Sequence, residues 1–148
     1  MALEALLAWL HLLAILTLVV FLTSEAALCR GEWMNGAVVE RLVRVDIVYA
    51  IAAGFVFITG LARVFLGVKG AGYYADHWLF WTKFTLFVAI GLISIGPTRA
   101  FLRWRRAWRE RGELPDAAAV AGVRRLVMLQ AHLVPLIPLA AVFLARGF

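Results

Sequence analysis

Cysteine, proline and acidic side chains are scarce in this chain, and each scarcity excludes something. A lone cysteine, Cys29, among 148 residues allows no internal disulfide and no thiolate metal cluster. The four prolines all fall at Pro97 or later, so nothing breaks the backbone across the first two thirds. Charged residues make up only 16% of the chain against 64% hydrophobic, and the mean hydropathy is +0.90. That balance excludes an ordinary soluble domain and marks an integral membrane protein. Acidic residues number 9 against 15 basic, a net charge of +6. Such a balance can serve nucleic acid, but the placement of the arginines explains it more simply.

What is present is four apolar runs, Leu3–Leu28, Val45–Leu66, Trp78–Ile95 and Val123–Ala145. Each is close to the ~20 residues that span a ~30 Å hydrocarbon core. With flanking turns they read as helices over 3–28, 38–66, 78–111 and 117–145, one transmembrane domain over 1–148. The expected fold is all-α, an integral membrane four-helix bundle with antiparallel neighbours. The first run begins without Lys or Arg and carries Glu4, so it reads as a retained helix rather than a secretion signal. Helix three is expected to end near Gly96-Pro97, with Thr98–Arg111 as a basic amphipathic extension lying at the membrane surface. Asp116 is positioned to cap the last helix, and Pro135 and Pro138 are expected to interrupt it.

The basic residues set an orientation. Arg99, Arg103, Arg105, Arg106, Arg109, Arg111, Arg124 and Arg125 cluster around the third connection, and Arg30, Arg41 and Arg44 around the first. The opposite side holds Arg63, Lys69 and Arg146. The positive-inside rule then places both termini outside, in the periplasm of a bacterial inner membrane crossed four times. The arginines gain attraction to anionic headgroups, and no nucleic acid is expected as a partner.

Two heptad seams carry the functional expectation. Glu4, His11, Leu18 and Glu25 recur every seven residues in the first run, and Arg125, His132, Leu139 and Arg146 in the last. Seven residues is nearly two turns, so each set lines one stripe. With the two helices antiparallel, Glu4 meets Arg146, Glu25 meets Arg125, and both histidines face inward. Ionisable groups at that depth mark functional sites. His11 then reads as a haem ligand, a proton relay or a packing group, and His132 as a ligand or a hydrogen-bonding node beside Gln130. In this register the two rings differ in depth by ~10 Å, so they do not grip one haem upright. Lys83 and Arg63 lie at the level of His11, either snorkelling or holding carboxylates. His77 reads as interfacial, and Glu25, Arg44, Asp46 and Arg125 as a neutralising structural cluster.

Short motifs carry a resemblance. Trp-Leu-His-Leu-Leu around His11, Glu40-Arg41-Leu42-Val43-Arg44, Trp81-Thr82-Lys83 and the Arg124-Arg125 run before Pro135 are similar to the small bacterial haem-containing protoporphyrinogen oxidases of the HemJ type. A sister family of the same architecture fits as well, and His132 lies outside the pattern. The resemblance implies a haem b site with His11 as catalytic and metal-binding residue and Lys83 assisting; the seams and the shared level add His132 as a second metal-ligand candidate and Arg63 as a further cofactor-binding candidate. It implies protoporphyrinogen oxidation or quinone-linked electron transfer, with porphyrin or quinone as partner. The competing readings are a small transporter of protons, metal or solute working as a homodimer, and an accessory subunit whose polar seams only hold its helices together.

Overall fold

Inside hydrocarbon every backbone N–H and C=O must find a partner within its own segment, so apolar runs of this length coil into helices. The computed structural model describes residues 2–67 and 70–146; Lys69, counted above on the sparsely basic side, lies outside them. The elements are α1 (Ala2–Leu28), a 3-10 turn (Gly31–Trp33), α2 (Gly36–Leu66), α3 (Gly70–Ala75), α4 (Trp78–Arg111), α5 (Ala117–Leu133) and α6 (Leu136–Ala145). Among the described residues there is no strand. Four helical spans are long and apolar enough to cross a membrane: α1, α2, α4, and α5 with α6.

Local chemistry sets the boundaries. Asn35 Oδ1 accepts from the Val38 N–H at 3.0 Å to start α2, and Asp116 Oδ1 accepts from the Ala119 N–H at 2.7 Å to start α5. Each satisfies one of the orphan donors of a helix N-terminus. Gly112 closes α4 at φ 67°, a left-handed conformation that suits glycine, and its N–H bonds the Trp108 carbonyl at 2.9 Å. The fourth span breaks between Leu133 and Leu136, at Pro135, where the ring removes a donor.

Helix α1 packs beside α2 and α5, while α4 packs beside α2, α5 and α6. The α1–α2 and α4–α5 connections share one end of the bundle, together with most of the arginines. The core sits in that basic half: Leu22, Val39, Leu42, Phe101, Val120 and Val127 are sealed together. The half near the termini has only a small cluster of Leu79, Ala140 and Leu144.

Two expectations need correction. α4 does not end at Pro97 but runs on to Arg111, and its extension does not lie on a surface. Pro97 is buried, and Ala100, Phe101 and Trp104 follow it at three- and four-residue steps as part of the core. That stripe docks on the bundle while Arg99, Arg103 and Arg106 stay exposed. Packing of the stripe outweighs one lost backbone bond, as neighbouring helices commonly allow for proline in spanning helices.

The second correction is to the paired seams. On α1 the inward stripe is Ala14, Leu18, Leu22 and Glu25, with His11 half-buried and Glu4 exposed. On the fourth span, however, Arg125, His132, Leu139 and Arg146 are all exposed, and the inward stripe is Val120, Val127 and Gln130. Neither Glu4–Arg146 nor Glu25–Arg125 is among the ion pairs of the described residues. The physical reason is Arg124. Its guanidinium donates to the carbonyls of Ala26 and Cys29, the unpaired acceptors at the negative end of α1. With Arg124 turned onto α1, Arg125 faces away.

At the basic end α2 and α4 approach closely because residue 36 has no side chain. A Cβ at Gly36 would sit 2.1 Å from Cε2 of the Trp108 indole. Gly36→Ala should therefore cost about 1–3 kcal/mol of stability through overpacking, read as a lower unfolding midpoint in detergent. Combining it with Trp108→Leu should recover most of that loss. An unchanged midpoint in Gly36→Ala would show that the indole does not lie over this glycine.

Candidate functional site

Thr59 and Gly60, about two turns beyond Ala52 at the edge of the core, shape the surroundings of His11. Gly60 leaves a shallow seat for the ring, since a Cβ there would meet His11 Cε1 at 3.3 Å. His11 Nδ1 and Thr59 Oγ1 are 2.8 Å apart. The roles in this bond follow from the hydroxyl's one proton. Thr59 Oγ1 donates to the Phe55 carbonyl at 2.6 Å, so toward the imidazole it is an acceptor. Nδ1 therefore carries the hydrogen in the neutral ring, and Nε2 keeps its lone pair. The Val56 carbonyl also lies within hydrogen-bonding reach of the ring. A histidine whose far nitrogen is anchored in this way is oriented as metal-ligating histidines are.

Arg63 and Lys83 lie near enough for their charges to reach the His11 ring. Arg63 is exposed one turn beyond Thr59 on α2, and Lys83 is half-buried on α4. The Lys83 ammonium sits 5.6 Å from the Tyr74 ring centroid and 5.4 Å from that of Phe80, a cation–π arrangement in the aromatic rim. Neither cation is in an ion pair among the described residues. Behind them Phe57 of α2 stacks on Phe87 of α4 at 6.1 Å, which ties the two helices together at this level.

The structure thus brings three of the four candidate residues together, on α1, α2 and α4. It does not bring His132 to them. His132 is exposed on α5, its Nδ1 donates to the Met128 carbonyl at 2.6 Å, and no hydrogen bond or ring contact joins it to His11. His77 precedes α4 and packs its ring at a tilt against Tyr73, centroids 4.3 Å apart, while its Nδ1 donates to the Tyr73 carbonyl, an interfacial, structural placement. Among the described residues no three His, Cys, Asp or Glu side chains gather as a metal set.

A second polar group lies deeper in the basic half, where the expected cluster keeps Glu25 and Asp46 together but without its arginines. Glu25 and Asp46 lie side by side, with Thr98 donating to Asp46 Oδ1 at 3.0 Å. Next to them the Tyr49 hydroxyl donates to Gln130 Oε1 at 2.9 Å. The signal for it is present in the sequence as Asp46 and Tyr49, three residues apart in an apolar run and so on one helix face. Arg44, expected in this cluster, is exposed.

No curated protein and no solved structure matches the chain. A family model does, across residues 3–148, and the chain therefore belongs to the family described as Predicted membrane protein (DUF2214).

Proposed function

We propose that this membrane protein binds haem b in the half of the bundle near its termini and serves as an oxidoreductase of the bacterial inner membrane. The observation that carries this reading is the half-buried His11 ring, anchored at Nδ1 by the Thr59 hydroxyl. A bare metal ion asks for three or four protein ligands, whereas haem iron brings four of its own and asks the protein for one or two. His11 offers one. Arg63 and Lys83 offer positive charge for propionates at the same level. In this half α6 packs mainly on α4. The resemblance of short motifs to HemJ-type oxidases supports His11 and Lys83 among these residues.

When bound, the haem would supply the electron-transfer chemistry. The chain's own part is to orient His11 through Thr59, to seat the ring against Gly60, and to fix carboxylates with Arg63 and Lys83. Porphyrinogen oxidation and quinone-linked electron transfer are the two reactions that suit such a site. With the basic end toward the cytoplasm, as the arginines favour, the site opens to the periplasmic half.

The test is the absorption spectrum of protein purified after haem-replete expression, before and after dithionite. A Soret band is expected, lost in His11→Leu and retained in His132→Leu. Thr59→Val, which removes the acceptor for Nδ1–H, should weaken haem binding about 10–100-fold. Colourless wild-type protein that takes up no added hemin would overturn the proposal. If that protein also moved protons into liposomes, the transport reading would take its place.

A further inference from the structure

Glu25 on α1 and Asp46 on α2 are only 1% and 4% exposed. Their carboxyl groups come within hydrogen-bonding reach of each other. A carboxylate is an acceptor only, so two carboxylates cannot hydrogen-bond, and the contact calls for a proton on one of them. A second observation points the same way. Oε1 of Glu25 is sealed from solvent and receives no hydrogen bond from any described residue. The one side-chain donor in place, Thr98, is spent on Asp46.

The surrounding groups supply no fixed countercharge. Cys29, just past α1, and Tyr49 of α2 lie near the pair, Thr98 of α4 bonds Asp46, Gln130 of α5 bonds Tyr49, and Arg124 of α5 lies by Cys29. Tyr49 gives its proton to Gln130, Arg124 is turned onto the Ala26 and Cys29 carbonyls, and Arg44 is exposed. No ion pair to Glu25 or Asp46 exists among the described residues. Two bare negative charges buried without a cation would be strongly unfavourable.

We infer that Glu25 and Asp46 form a buried proton-binding site, an acid–carboxylate pair that loads and releases a proton from the basic end of the bundle. Loading transfers a proton from hydronium to the free carboxylate oxygen, leaving water and a neutral pair of acids. Release reverses this and leaves one shared proton. Access is short. Glu25 is one turn from Cys29, whose thiol reaches the Val120 carbonyl at 3.9 Å. Val120 and Arg124 also line an open cavity of about 320 Å³ bounded by Arg30 and Glu32, room for several waters. The site stands apart from His11 and does not depend on the haem reading.

Infrared spectroscopy of the protein in lipid nanodiscs, in H2O and D2O, tests it. At neutral pH the wild type should show a carboxylic-acid C=O band that shifts in D2O and gains intensity on acidification. Glu25→Gln and Asp46→Asn should each abolish the titrating part, and Arg125→Gln should leave it intact. Absence of the band at neutral pH would mean that both groups are ionised and would overturn the inference. A band that neither exchanges in D2O nor responds to pH would overturn it too, marking a sealed structural pair. The wild-type spectra decide between these outcomes even if the variants fail to fold.

Discussion

Phe101→Ala is expected to destabilise the bundle by about 3–5 kcal/mol, the range for emptying a fully buried aromatic site. The Phe101 side chain is 0% exposed and meets the Trp104 ring edge-on at 5.6 Å. It lies past Pro97, on the part of α4 that packs with Leu42, Val43 and Val120. The cost arises because close-packed neighbours relax only partly into a cavity. Its neighbour Leu102 is 42% exposed, and Leu102→Ala should change stability by no more than about 0.5 kcal/mol. Unfolding midpoints in one detergent, compared across both variants, separate a docked extension from one lying on the membrane. Equal small effects at 101 and 102 would mean that the helix beyond Pro97 does not join the core.

Four membrane-spanning helices are legible in the sequence because length and apolarity alone decide them. The spans need ~20 apolar residues, and tertiary contacts hardly enter. The cap at Asp116 and the break at Pro135 are similarly local, whereas α2 starts at Gly36, capped by Asn35, two residues before the expected 38. Rotation of a helix about its axis is a different matter. Leu and Val cover every face of these spans, and lipid accepts them as readily as the core does, so periodicity barely distinguishes inside from outside. On α1 the polar residues His11 and Glu25 mark the inward stripe. On α5 the same reasoning selects Arg125 and His132, while the buried polar residue is Gln130, which bonds Tyr49.

The candidate site is legible to a similar degree. His11, Arg63 and Lys83 share one level by simple counting along antiparallel spans, and the structure brings them together. What counting does not reveal is the Thr59 contact, because it depends on which side of α2 meets α1. The carboxyl pair is obscured for another reason. Charge matching assigns each acid an arginine, yet in the structure the nearby arginines bind helix-end carbonyls or point outward. Acids left over in a dry interior hold a proton instead, and a sequence carries no mark for that choice.

The register of the fourth span is tested most directly by the adjacent arginines. Arg124→Met keeps an unbranched apolar stem but removes the donors to the Ala26 and Cys29 carbonyls. Hydrogen bonds from a charged group are worth about 1.5–3 kcal/mol each, and carbonyls left unsatisfied add to the loss. The expected cost of Arg124→Met is about 3 kcal/mol on that basis, seen as a lower unfolding midpoint and faster proteolysis near residues 29–35. Arg125→Met, on the exposed face, should stay within about 0.5 kcal/mol. The charge-matched register demands the opposite order, with Arg125 the costly loss and Glu25→Gln coupled to it in a double-mutant cycle. In the observed packing that cycle shows no coupling, because Glu25 faces Asp46 while Arg125 faces out. A large coupling between residues 25 and 125 would turn α5 about its axis, break the Arg124 cap on α1, and dissolve the acid pair along with it.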